Sequence, residues 1–132
     1  VIHDFEIFPY PFADGSGLHI NATHVIEHLA DVPAFMDECW RILQPGGTLY
    51  METPHAKDIA LSFSDPTHKQ HLTEHSFINY FTLEGIENFG YSKFAWSILH
   101  IETVNGVIFV HLMPIPVEYY QDEILKRLNN LP

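Results

Sequence analysis

The stretch from Leu18 to Thr53 restricts the fold of this chain more than any other. Leu18–Thr23 is a short apolar strand candidate, and it runs into His24–Leu29, which has helical character. Asp31 is placed to cap the next helix, with Pro33 in its first turn. Val32, Phe35, Met36, Cys39, Trp40 and Leu43 then recur at spacings of three and four, which is one apolar helix face. Gln44-Pro45-Gly46-Gly47 ends that helix sharply, and Thr48–Thr53 reads as a second strand stopped by Pro54. Strand, helix, sharp turn and strand are half of a parallel α/β unit.

Charge narrows the functions open to such a unit. Seventeen acidic and six basic side chains give a net charge of −11 over 132 residues. The first forty residues hold seven acids and no Lys or Arg. A nucleic-acid phosphate backbone or an anionic membrane surface calls for clustered bases, so neither is an expected partner. Ten histidines make the charge sensitive to acidification toward pH 5. The single cysteine, Cys39, excludes a disulfide framework and sits in the apolar helical pattern as a small buried hydrophobe. No run approaches a membrane span or resembles a signal peptide, which sets a cytoplasmic location as the expectation.

The rest of the chain extends the α/β pattern. Val1–Phe8 is rich in β-formers and reads as a first strand, broken by Pro9, Pro11 and the loop Ala13–Gly17. Ser64–His68 looks like a turn. Thr73 could cap a helix running through Phe77, Tyr80 and Phe81, and Leu83–Phe89 could form another. Phe94–Thr103 and Val107–Leu112 flank Asn105-Gly106, a strong hairpin signal, so an antiparallel pair should close the sheet. Tyr119–Leu128 is expected to be a last helix, with Asp122 and Lys126 one turn apart. Phe77, Tyr80, Phe81, Phe89 and Trp96 read as core, and His3, His19, His100 and His111 as strand residues supporting the fold.

His24-Val25-Ile26-Glu27-His28 satisfies H-x-x-E-H. On a helix the two histidines would share a face, bind one Zn²⁺ and leave Glu27 to activate water, as in a zinc-dependent hydrolase. The pattern is short, and a histidine-rich chain produces it readily by chance. His68, His71 and His75, near Asp65, are spaced for a second metal site; spacing alone favours a solvated surface, so no metal is assigned.

Read in order, several segments resemble one family. They are Asp4-Phe5, Phe8–Ser16, His24–Leu29, Arg41–Gly47, Glu52-Thr53-Pro54-His55, and Asp65–Lys69 with Thr73 and Ser76-Phe77. The set resembles the second half of a class I S-adenosylmethionine-dependent methyltransferase of type 11. The resemblance implies a partial Rossmann-like sheet, parallel strands followed by the antiparallel hairpin, in a single domain over residues 1–132. It implies S-adenosylmethionine as cofactor and a small-molecule methyl acceptor of unknown identity. Asp4 would accept a hydrogen bond from the adenine amino group, with Phe5 beside it. Ala22, Thr23 and His24 would line the cleft near the methionyl part. His24 or His28 would act as general base.

The sequence also departs from that family. A strand followed by a glycine-rich turn, and a strand ending in an acid for the ribose hydroxyls, are both missing. Gly15-Ser16-Gly17 precedes a strand, and Ile20 stands at the third glycine position. The expectation is therefore a fragment of a longer methyltransferase with weak or absent cofactor binding and little activity of its own. A bare edge along Leu18–Thr23 would favour a homodimer or other self-association, with Val1–Phe8 filling the gap or two edges joining. The alternatives are the zinc-dependent hydrolase and a non-catalytic oligomeric module.

Overall fold

The computed structural model describes residues 1–120; the expected last helix with Asp122 and Lys126 lies outside them, apart from a short turn at Val117–Tyr119. Among the described residues, four strands form one sheet. They are β1 (Gly17–Thr23), β2 (Leu43–Pro54), β3 (Trp96–Val104) and β4 (Val107–Pro114), in the order β1-β2-β4-β3. β1 runs parallel to β2, whereas β4 is antiparallel to both β2 and β3. The expected mixture of a parallel part and a closing hairpin is thus observed. Asn105 (φ 51°) and Gly106 (φ 80°) both take left-handed conformations, as a two-residue hairpin turn requires.

The crossover between β1 and β2 is α1, Val32–Ile42. Asp31 caps it, accepting from the Ala34 amide at 3.0 Å. Val32, Phe35, Met36, Cys39 and Ile42 are buried from this helix, while Trp40 is half-buried and stacks on Phe94. Burial pushes the Cys39 thiol pKa up, in keeping with a packing role. Leu49, Met51 and Thr53 of β2 and Ile108, Val110 and Leu112 of β4 alternate into the same core. The opposite face of these strands carries Asn21, Tyr50 and His111 in one row, and Thr23, Glu52 and Phe109 in the next.

Pro45-Gly46-Gly47 does more than end the helix. It lies within β2, and a Cβ on Gly47 would stand 2.9 Å from the Gln44 carbonyl oxygen and 3.0 Å from that of Leu18. The close approach of the parallel neighbour therefore needs glycine there. Short helices follow: α2 (Ile59–Ser62), α3 (Glu74–Ile78) and α4 (Leu83–Phe89). α3 has the expected Thr73 cap, closed into a box by Ser76, but stops before Tyr80. Phe77, Phe81 and Trp96 are core; Phe89 is exposed and stacks with Tyr91 beside Tyr80.

Val1–Phe8 is not a strand. The Asp4 side chain accepts from the Glu6 amide at 2.9 Å and its carbonyl from Ile7 at 3.0 Å, which folds the segment into a turn. His3 is accordingly off the sheet, with Nε2 2.7 Å from the Ile7 carbonyl oxygen. It is polar contacts that attach this N-terminal arm. Arg41 donates to the carbonyls of Phe12 (2.8 Å) and Tyr10 (3.2 Å) and to Asp14 (2.7 Å), and it also pairs with Glu38. Tyr10 is buried against Phe5 and Phe8, and its hydroxyl donates to the Phe5 carbonyl at 2.8 Å. The outer edge of β1 is not filled by the arm, and Leu18 on it is 67% exposed.

Candidate functional site

β1 ends at Thr23, and His24 turns the chain with φ 56°, a conformation that costs a non-glycine residue about 1 kcal/mol or more. A 3-10 turn follows over Ile26–His28. This turn and the N-terminal arm enclose a cleft of about 310 Å³ lined by Asp4, Phe5, Glu6, His24, Val25, His28, Leu29 and Lys69. Four of the residues singled out in the sequence, Asp4, Phe5, His24 and His28, are thus brought together. The arm reaches the cleft as a turn, not as the strand end that was expected.

The cleft is anchored from both sides. The Glu6 carboxylate accepts from the Ala30 amide at 3.0 Å and lies 3.8 Å from Lys69 Nζ. Phe5 remains 48% exposed and His24's side chain 53% exposed, so both can meet a ligand. Glu6, Val25, Leu29 and Lys69 were not anticipated. Glu6 and Lys69 are 63 positions apart, and no local pattern joins them.

The other candidates lie elsewhere. Ala22 is buried in the core beneath the sheet, and the Thr23 hydroxyl turns to Asn21 at 2.6 Å on the opposite face. Neither lines the cleft. Glu27 is 1% exposed; Oε2 accepts from the Thr53 hydroxyl at 3.1 Å, while Oε1 has no hydrogen-bond partner among the described residues. His24 Nδ1 is 3.8 Å from Oε2. The H-x-x-E-H residues do not share an α-helical face, because His24 is left-handed and only a 3-10 turn follows. Among the described residues, the group whose ligand atoms converge is instead His28, Asp65 and His68. His71 has moved away to stack on Phe63 and bond Ser62 at 2.9 Å.

A larger cavity, about 810 Å³, lies beside Trp40, Arg41, Leu43, Phe94 and Pro114. It borders the amino-terminal end of β2. Open α/β sheets bind ligands outside the carboxyl ends of their parallel strands, and the smaller cleft is the one at that end.

The fold matches those of known proteins. The solved S-adenosylmethionine-dependent methyltransferase of Aquifex aeolicus superposes with a TM-score of 0.57 at 13% identity, over 87% of this chain and 54% of that one. The PH0226 protein of Pyrococcus horikoshii gives 0.56 at 14% identity, over 87% and 58%. In sequence, residues 1–51 match the family described as Methyltransferase domain. The chain is therefore similar to methyltransferases in its fold, and over residues 1–51 in its sequence. A probable S-adenosylmethionine-dependent methyltransferase of Mycolicibacterium smegmatis is 34% identical over 64 residues, 48% of this chain and 25% of that protein. The chain therefore spans about a quarter of the length of that curated relative, and just over half of the two solved structures. The cofactor this family implies is S-adenosylmethionine. An exposed carboxylate beside an exposed aromatic ring, in a cleft near the lower end of the usual 300–1,000 Å³ range, fits part of such a cofactor. Among the described residues, no helix is long and apolar enough to cross a membrane.

Proposed function

We propose that this methyltransferase relative contributes one wall of an S-adenosylmethionine site and serves methyl transfer to a small-molecule acceptor. The observation that carries the reading is the convergence of Asp4, Phe5, His24 and His28 at the carboxyl end of β1. When bound, the cofactor supplies an electrophilic methyl group on a cationic sulfonium. Asp4 accepts from the adenine amino group while the Phe5 ring lies against the base. Asp4 and Glu6 outnumber Lys69 in the lining, which favours a cationic ligand over an anionic one. His24, the more accessible imidazole, accepts the proton that the acceptor releases, and holding the reactants in line supplies much of the rate.

The family's glycine-rich turn and ribose-binding acid have no counterpart in these 132 residues, so affinity should be weaker than low-micromolar. Calorimetry with S-adenosylhomocysteine tests this. The reading predicts weak binding that Asp4→Ala lowers further. Low-micromolar binding indifferent to Asp4→Ala would contradict both the placement and the expected weakness.

The outer edge of β1 supports a second element of the proposal, a homo-oligomer joined through that edge. Among the described residues its N–H and C=O groups have β2 on one side only, and a second copy could pair with the other. Light scattering should then give more than one chain per particle at micromolar concentration; a monomer would contradict it. The cytoplasm is the proposed location, where a lone buried thiol such as Cys39 stays reduced.

A further inference from the structure

The geometry points to a divalent-cation site built from His28, Asp65 and His68, suited to Zn²⁺ or a similar first-row ion held by two imidazole nitrogens and one carboxylate oxygen. One ligand atom from each residue lies within 4.8 Å of the others. His68 Nε2 is 3.5 Å from Asp65 Oδ2, and the rings of His28 and His68 meet edge to face with centroids 4.7 Å apart. Ligands bonded to a tetrahedral zinc at about 2.0–2.1 Å are about 3.4 Å from one another, so the His68–Asp65 pair already has the required spacing.

The hydrogen bonds around the three residues leave the ligand atoms free. His68 Nδ1 is 2.8 Å from the Ser62 carbonyl oxygen, which can only accept. Nδ1 therefore carries a proton, and in the neutral ring Nε2 keeps its lone pair. The Thr67 hydroxyl donates its single proton to Asp65 Oδ1 at 2.6 Å. His28 Nδ1, 3.2 Å from the same hydroxyl oxygen, must then be the donor, and in the neutral ring its Nε2 also keeps a lone pair. Asp65 Oδ1 further accepts from the Thr67 amide at 2.9 Å, while Oδ2 faces His68. Outer contacts of this kind orient metal ligands and fix their tautomers.

The two ligand-bearing loops are also fixed to each other. The amides of Lys69 and Gln70 both donate to the Glu27 carbonyl, at 2.8 and 3.0 Å, and the Gln70 side chain donates to Leu29 at 2.9 Å. Backbone bonds thus hold His28 beside His68 before any ion arrives. Three protein ligands leave a fourth position open, the arrangement of reactive rather than purely structural zinc sites. Because His28 also lines the cleft, the ion would border it. It could there take an acceptor hydroxyl and lower its pKa, leaving His24 to receive the proton. That role rests on the methyl-transfer reading, whereas ion binding does not.

The test is Zn²⁺ added to the whole chain, followed by calorimetry and by ¹⁵N NMR of the imidazole nitrogens. One equivalent should bind, with Nε2 of His28 and His68 shifting. His68→Ala and Asp65→Ala should each weaken binding by at least about tenfold. His19→Ala should leave it unchanged, although His19 lies near His111 on the sheet. Shifts confined to other histidines, affinity unaltered in His68→Ala, or no binding at all would overturn the site. A simple ion pair between a protonated His68 and Asp65 would give that last result. The NMR measurement needs no variant, so a substitution that fails to fold does not block it. A parallel titration with S-adenosylhomocysteine separates the two ideas: its failure would sink the cofactor reading and leave the ion site standing.

Discussion

The centre of the sheet and the loops at the end of β1 are held together by different forces. Leu49, Met51, Ile108 and Val110 are fully buried and alternate cleanly into one core. A few residues away, the chain places a left-handed His24, a buried Glu27 with one unpartnered oxygen, and polar side chains that anchor the N-terminal arm. The first region has the character of a stabilising core. The second tolerates strain and incompletely satisfied polar groups, which proteins retain mainly where a site must be shaped. The larger cavity adjoins neither His24 nor Glu27, although Arg41 and Asp14, which hold the arm, line it.

Substitutions can break this contrast or sharpen it. Met51→Ala should have the largest effect, lowering unfolding free energy by about 2–5 kcal/mol in urea titration. A loss below about 1 kcal/mol would mean that β2 is not the centre of the core. Arg41→Ala comes next, at about 1–3 kcal/mol, because it removes bonds to two carbonyls and two carboxylates. Its effect should concentrate in the arm, seen as faster hydrogen exchange over residues 3–15 with β2 and β4 unchanged. Uniform acceleration across the sheet would contradict the division. His24→Gly should do the opposite of a core truncation, leaving stability unchanged or raising it by up to about 1 kcal/mol, since glycine takes φ 56° without strain.

The smallest expected effect is a pH dependence at Glu74. Hydrogen bonds from Thr103 and His55 hold its carboxyl below the ordinary value of 4.5. A depressed carboxylate pKa contributes stability above that ordinary value and loses it as pH falls through the folded-state pKa. The stability gap between the parent chain and Glu74→Gln should accordingly narrow from pH 6 to pH 3. A gap that widens on acidification would reverse the assignment.

Elements set by local chemistry were legible in the sequence. Asp31 announces the start of α1, the spacing from Val32 to Cys39 its buried face, and Asn105-Gly106 the hairpin, whereas Leu43, read onto the same face, opens β2. The Val1–Phe8 segment misled because its residue types suit a strand, yet a strand needs an edge to pair with. The Asp4 turn and the Arg41 contacts draw the arm elsewhere. Of the site, Asp4, Phe5, His24 and His28 could be named from motifs, whereas Glu6 and Lys69 could not. The partnership of His28 with Asp65 and His68 was hidden too, since nearly forty residues separate them and bonds between distant loops, to Glu27 and Leu29, bring them together. The spacing of His68, His71 and His75 pointed to a grouping that Phe63 and Ser62 pull apart.

The most direct test of the cleft is amide-resonance mapping of the whole chain during titration with S-adenosylhomocysteine at millimolar concentration. The account predicts saturable shifts at Asp4, Phe5, His24 and His28, with the Trp40–Phe94 side of the molecule unmoved. Shifts centred on Trp40 and Phe94, or none anywhere, would contradict it.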